Sequence, residues 1–227
     1  MSRLSLMLTL GLVHFAAAAT DLVGQATETR LPTLPARHDT LAVSYAGSVI
    51  GRGIMTWARH GREQLQVYAW LGAHEGQGVT DSLFSNPATL APVREVRTVG
   101  DTTITVFFGR DTVFITTTVA DRSETKWAVA PNAPMFSSAS IESLAATMPF
   151  ERGASRQLLT FYAPPSTLGV RRTTIRVEER ESVLNRVAWR IVADTPGGGT
   201  TFWVDALTRT VLQSDVREGS AVITFRR

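Results

Sequence analysis

The stretch Leu65-Gln66-Val67-Tyr68-Ala69-Trp70-Leu71 poses the problem that the fold has to solve. Its side chains alternate with the period of a strand, so Leu65, Val67, Ala69 and Leu71 fall on one face and Gln66, Tyr68 and Trp70 on the other. A strand with one wet side pairs an apolar face with a polar one. Here both faces are apolar enough to need cover. One face belongs to a core, and the second must be covered by a helix or by a ligand in a cavity.

The same alternation continues on both sides of this strand. Leu41 to Val49 has large apolar residues at odd positions, and Gly51 to Ala58 reads as its partner across a glycine-containing turn at Ile50–Gly53. Downstream, Ile104, Val106 and Phe108 lead into Gly109-Arg110-Asp111, a hairpin signal, and Val113, Ile115, Thr117 and Val119 return. Glu124 to Ala130 continues the meander through Trp127. Pro131-Asn132-Ala133-Pro134 interrupts it as a loop.

A helix is then predicted over about 137–148. Ser138 or Ser140 would cap it, Glu142 would favour its first turn, Ile141, Leu144, Ala145 and Met148 share one face, and Pro149 ends it. Strand patterns resume at Gln157–Tyr162, Thr173–Glu181, Val187–Ile191, Thr201–Asp205, Thr210–Val216 and Ala221–Phe225. Asp194 to Gly199 is a loop with Gly197-Gly198-Gly199 at a hairpin tip. Asp205 ahead of Ala206-Leu207-Thr208 has the chemistry of a side-chain-capped turn, and Trp189 and Trp203 flank one hairpin as candidates for a cross-strand pair. About a dozen strands and one helix make the fold all-β, an antiparallel meander, sandwich or barrel over 40–227 in one domain, preceded by an extended lead-in over 27–39.

Composition agrees. The chain has 227 residues, 44% hydrophobic and 19% charged, with no cysteine. That excludes a disordered chain, a coiled coil and a disulfide scaffold. Lys plus Arg is 23 against 20 Asp plus Glu, a formal charge of +3, and Lys126 is the only lysine. Arg171-Arg172 is followed by Glu178-Glu179-Arg180-Glu181, so the signs are mixed and no nucleic-acid partner is expected.

The amino terminus has the build of a secretory signal peptide over 1–26, with Met1-Ser2-Arg3 positive and Leu4 to Ala19 largely apolar. Cleavage falls either near Ala19 or after Ala26. The run is too short to span a membrane and no second one follows. The sequence therefore predicts an exported soluble protein of the periplasm or extracellular space.

Reactive constellations do not assemble from the sequence. His60 and His74 fall in turns near Glu75 and Asp81 without metal-ligand spacing, Ser44, Ser48 and Ser155 lack a nucleophile setting, and no Lys follows the triple glycine. No catalytic residue, metal or cofactor is expected. What remains is aromatic: Trp57, Tyr68, Trp70, Phe107, Phe114, Trp189 and Trp203 are the candidates to line a hydrophobic cavity.

The carboxy-terminal third carries a family resemblance. Met148-Pro149-Phe150 with Gly153, Arg171 to Glu181, Ala188-Trp189-Arg190-Ile191-Val192, a Gly-rich turn, Thr201-Phe202-Trp203-Val204-Asp205 and Thr208-Arg209-Thr210-Val211-Leu212 come in one order. Over Met148 to Arg227 the chain resembles the DUF3108-like bacterial envelope proteins, whose fold is similar to the LolA/LolB lipoprotein carriers. The resemblance implies a strongly curved antiparallel sheet that forms an unclosed half-barrel with a helix plugging its mouth, able to hold an acyl chain or other apolar molecule. The expected role is a non-catalytic envelope protein that binds a lipid or another apolar small molecule. The alternative is a structural β-module that grips an envelope protein partner.

Overall fold

The computed structural model describes residues 31–32, 34–72, 78–110, 112–120, 122–129, 134–162, 169–195 and 198–227. The signal peptide, residues 27–30 and 33 of the lead-in, and residues 131–133 of the predicted 131–134 loop lie outside them. The first eight strands are β1 (Arg37–Tyr45), β2 (Ser48–His60), β3 (Glu63–Gly72), β4 (Gly78–Ser85), β5 (Pro92–Val99), β6 (Thr102–Phe108), β7 (Thr112–Val119) and β8 (Arg122–Val129). A short strand β9 (Met135–Ser137), a 3-10 turn (Ser138–Ser140) and helix α1 (Ile141–Thr147) follow. The second series is β10 (Ser155–Tyr162), β11 (Gly169–Val183), β12 (Arg186–Thr195), β13 (Gly198–Asp205), β14 (Val211–Glu218) and β15 (Ala221–Arg226).

All fifteen strands join one sheet in the order β8-β7-β6-β5-β4-β3-β2-β1-β15-β14-β13-β12-β11-β10-β9. Two meanders are spliced edge to edge where β1 pairs with β15, Ala42 opposite Arg226 and Val43 opposite Phe225. Every pairing is antiparallel except β9 on β10. Bulges at Val43/Ser44, Phe84/Ser85, Val177/Arg180 and Trp203/Val204 add local bend to a sheet that already twists.

The sheet rolls up without its two edge strands pairing. It overlaps itself instead. Leu158 and Thr160 of β10 face the interior, so Phe161 points outward, and it meets Ile104, Val106, Val113 and Ile115 on the inner face of β6 and β7. Ser137 of β9, which shares the face of Phe161, donates a hydrogen bond to Glu95 on the inner face of β5. The β9–β10 margin is thus tucked inside the β5–β7 flank as in a scroll.

Inside the roll, α1 closes one end. Ile141, Leu144, Ala145, Ala146 and Met148 pack with Trp57, Ile175, Trp189, Ile191, Phe202 and Val204 in the main core. Arg209 holds the helix carboxy terminus, donating from Nη1 to the carbonyls of Ala146 (2.9 Å) and Met148 (3.1 Å). Those carbonyls are the acceptors that a helix end leaves unpaired.

Several sequence expectations are corrected here. The first hairpin turns at Ala46–Gly47, both with positive φ (48° and 81°), and Ile50–Gly53 lies within β2. A two-residue hairpin loop of that hand matches the strand twist. Gly51 serves close approach instead, because a Cβ there would sit 2.4 Å from the Leu71 carbonyl oxygen. Arg37 to Asp39, assigned to the lead-in, begin β1, where Arg37 lies opposite Trp57 with its guanidinium 4.1 Å from the ring centroid. The helix is shorter than 137–148: Ser137 ends β9 and its Oγ, rather than that of Ser138 or Ser140, caps the 3-10 turn by accepting from Ala139 N–H at 3.0 Å. Gly198 and Gly199 belong to β13, and a Cβ on Gly198 would lie 2.7 Å from the Arg217 carbonyl oxygen.

Candidate functional site

The roll leaves a cavity of about 620 Å³ between α1 and the concave face. Its floor is Ser138, Ala139, Ile141 and Glu142. Leu41, Met55, Leu83, Ala193, Phe202 and Phe225 form an apolar wall, and Tyr68 and Phe225 meet edge-on at 5.7 Å. The mouth lies at the opposite end, among the β12–β13 and β14–β15 hairpins, where Thr195, Gly198, Arg217 and Gly219 line it. Arg171 lines the cavity from the start of β11, its guanidinium 5.2 Å from the Tyr162 ring centroid.

Strands β4 and β5 give the cavity a polar flank. Asp81 and Arg97 are register partners on the inner face and form an ion pair at 3.3 Å. Burial raises the Asp81 pKa against the pull of Arg97. Burial also pushes Glu95 up to about 7, although its bond from Ser137 acts the other way. Tyr68, opposite Asp81, has its phenol pKa raised by burial. Tyr68 Oη and Asp81 Oδ1 are buried without a hydrogen-bond partner among the described residues.

Polar links also tie the floor to the wall. Gln66 of β3 donates from Nε2 to Ala139 O (3.0 Å) and accepts at Oε1 from Ser143 Oγ (2.5 Å). Glu142 pairs with Arg37 at 3.1 Å, Arg37 with Asp39 at 3.2 Å, and Asp39 with Arg227. Burial pushes Glu142 up to about 7 despite Arg37 beside it. This chain of charges joins the helix, β1 and the carboxy terminus, with its members sharing partners as buried charges require.

By sequence, residues 40–226 match the family described as "Protein of unknown function (DUF3108)". The chain belongs to the DUF3108 family. No curated protein sequence matches it. By structure, this DUF3108 chain is similar to a β-barrel-like protein of the domain of unknown function DUF1849 from Brucella abortus. The TM-score is 0.60 at 11% identity, over 86% of this chain and 96% of that one, which shows a shared fold.

Within the DUF3108 fold, the seven aromatic candidates do not form one site. Tyr68 lines the cavity. Trp57 and Trp189 are core residues, Trp57 beneath Arg37 and Trp189 stacked on Phe150 at 6.0 Å. Trp70 is half-buried, its Nε1 3.0 Å from where a Cβ on Gly51 would stand. Trp203 faces outward and donates from Nε1 to Glu181 at 2.7 Å. Phe107 and Phe114 lie opposite each other on the outer surface, each 47% exposed. Trp189 and Trp203 are not partners either: Trp189 pairs with Val204 and Arg190 with Trp203, which puts the two rings on opposite faces. The physical reason is parity. Alternation groups residues by face but does not say which face the roll encloses.

Asp205 does cap its turn. Its Oδ1 accepts from Leu207 N–H (2.9 Å), Thr208 N–H (2.7 Å) and Thr208 Oγ1 (3.0 Å), while Oδ2 pairs with Arg186 at 2.8 Å. Burial opposes the charge, yet the Thr208 and Leu207 bonds and Arg186 hold the carboxyl below its usual range. His74 and Glu75 lie outside the described residues. Among the described residues no three His, Cys, Asp or Glu come together as metal ligands, and no helix is long and apolar enough to cross a membrane.

Proposed function

We propose that this protein is an exported binding protein of the bacterial envelope that holds one apolar or acyl-chain molecule inside the scroll and performs no covalent chemistry on it. The observation that carries the reading is the cavity of about 620 Å³, floored by α1 and walled by Met55, Leu83, Phe202 and Phe225. That volume falls in the range of small-molecule sites, which are mostly apolar with a few fixed polar groups. The Asp81–Arg97 pair and Tyr68 supply the polar groups and give the bound molecule one polar side. Export follows from the amino-terminal segment.

Native mass spectrometry of the protein purified from its own compartment tests this directly. The reading expects a retained small molecule that organic extraction removes. A protein that carries none, and takes up neither fatty acid nor phospholipid after extraction, contradicts it.

A further inference from the structure

The outer surface carries an apolar row that the cavity does not use. Leu65 pairs with Phe84, Phe84 with Arg94, Arg94 with Phe107, and Phe107 with Phe114, so one continuous line of outward positions crosses β3 to β7. The line lies at the end of the roll that α1 closes, beside the β2–β3 and β6–β7 hairpins and the β4–β5 loop. Phe107 and Phe114 are each 47% exposed, and His60 extends the line by meeting Phe84 edge-on at 5.7 Å. Above it, Val67 and Leu71 of β3 share the outward face, Val67 half-buried and Leu71 39% exposed. The strand whose two apolar faces posed the folding problem therefore keeps an outer face that is only partly covered.

Charge at this end indicates what covers the outer one. Over 58–65, 84–94 and 107–114 the sequence has Arg59, Arg62, Arg94 and Arg110 against two acids, Glu63 and Asp111. Arg94 lies over the Phe84 ring at 4.2 Å. The intervening loop, Asn86 to Ala91, has no charged residue. Aromatic rings at headgroup depth with arginines that reach anionic phosphates are the chemistry of a membrane–water interface. A second copy joining along the β8 edge fits less well, because that edge carries exposed Arg122, Glu124 and Lys126, which blunt strand addition.

We propose that this row is a peripheral membrane-docking surface for an anionic lipid bilayer, seating the helix-closed end on the headgroups with the cavity mouth directed away. The test is cosedimentation of the purified protein with vesicles of equal phosphatidylglycerol and phosphatidylcholine, compared with phosphatidylcholine alone. Binding is expected to the anionic vesicles, weakening as salt rises. A Phe107→Ser/Phe114→Ser variant is expected to bind at least tenfold more weakly with uptake of a cavity probe unchanged. An Arg59→Glu/Arg110→Glu variant, which leaves the apolar row intact, is expected to lose the preference for anionic lipid. Wild-type binding that is absent, equal on neutral vesicles, or unaltered in both variants overturns the proposal. So does a wild-type dimer in sedimentation equilibrium that the phenylalanine variant dissolves, since the occupant would then be a second copy.

Discussion

Ser137 donates a hydrogen bond to Glu95 across the seam where the sheet overlaps itself, linking β9 to β5 with both side chains buried. The two strands are distant in the pairing order, and no backbone ladder connects them. This side-chain bond and the packing of Phe161 on β6 and β7 hold the scroll shut. Ser137→Ala leaves a buried carboxyl without its donor, which costs about 1–3 kcal/mol. Urea denaturation is expected to show that loss with an unchanged slope.

The same carboxyl makes stability depend on pH. Glu95 and Glu142 are both pushed up to about 7 from 4.5, first by burial. An acid whose folded pKa lies above its unfolded one binds its proton more tightly when folded. Its stabilisation is therefore complete below about pH 4.5 and is lost as the pH rises toward 7. Asp205, held low, works oppositely: its contribution is present above its unfolded pKa and is lost as the pH falls through the folded one. Maximum thermal stability is expected near pH 5, declining toward pH 8, with Glu95→Gln flattening that decline. A midpoint that climbs steadily from pH 5 to 8 contradicts the account.

Asp205 also anchors the β13–β14 turn. Asp205→Ala removes three hydrogen bonds from an almost wholly buried carboxylate, along with its ion pair to the half-exposed Arg186. The expected cost is about 1–2 kcal/mol, that of a strong cap, with little added by the ion pair because Arg186 remains in water. Asp205→Asn keeps an acceptor for the turn and should recover part of it. Chemical denaturation of the two variants separates the turn from the ion pair.

Two glycines predict different penalties for one methyl group. At Gly51 the added Cβ meets the Leu71 carbonyl oxygen at 2.4 Å, so β2 and β3 must separate. At Gly61 nothing lies within 4 Å, and the cost comes only from φ of +61°. Gly61→Ala should cost about 1 kcal/mol and Gly51→Ala clearly more, on the order of 2–3 kcal/mol. Thermal melts of both variants check the order.

The residues that reveal the fold and those that build the cavity are different, which explains what sequence reading missed. Ile104 to Phe108 and Val113 to Val119 alternate cleanly because their inner face is apolar except at Thr117, and the hairpin at Gly109 falls where that pattern places it, with Gly109 N–H donating to Thr112 O at 2.9 Å. Strands β4 and β5 escaped notice because Asp81, Glu95 and Arg97 occupy their inward positions. A charged side chain at an inward position erases the apolar alternation that marks a strand, and those strands carry the polar flank of the site. The charges themselves were a usable signal: Asp81 and Arg97 sit in runs otherwise rich in Val, Leu and Phe. Helix α1 was legible from its apolar spacing. The scroll overlap was not, because it depends on the outward-facing Phe161 of β10 being covered by strands fifty residues earlier, which no local pattern records.

Titration of the extracted protein with a fluorescent fatty acid tests the cavity most directly, set beside a Ser214→Phe variant. Ser214 lies opposite both Phe202 and Phe225 on the cavity wall, so an aromatic ring there fills the space without breaking a side-chain hydrogen bond to a described residue. Saturable uptake of one probe per chain by the wild type, abolished in a variant that melts normally, is the expected result. Binding that fails to saturate, or that persists unchanged in the filled variant, would mean that the interior of the scroll holds no ligand.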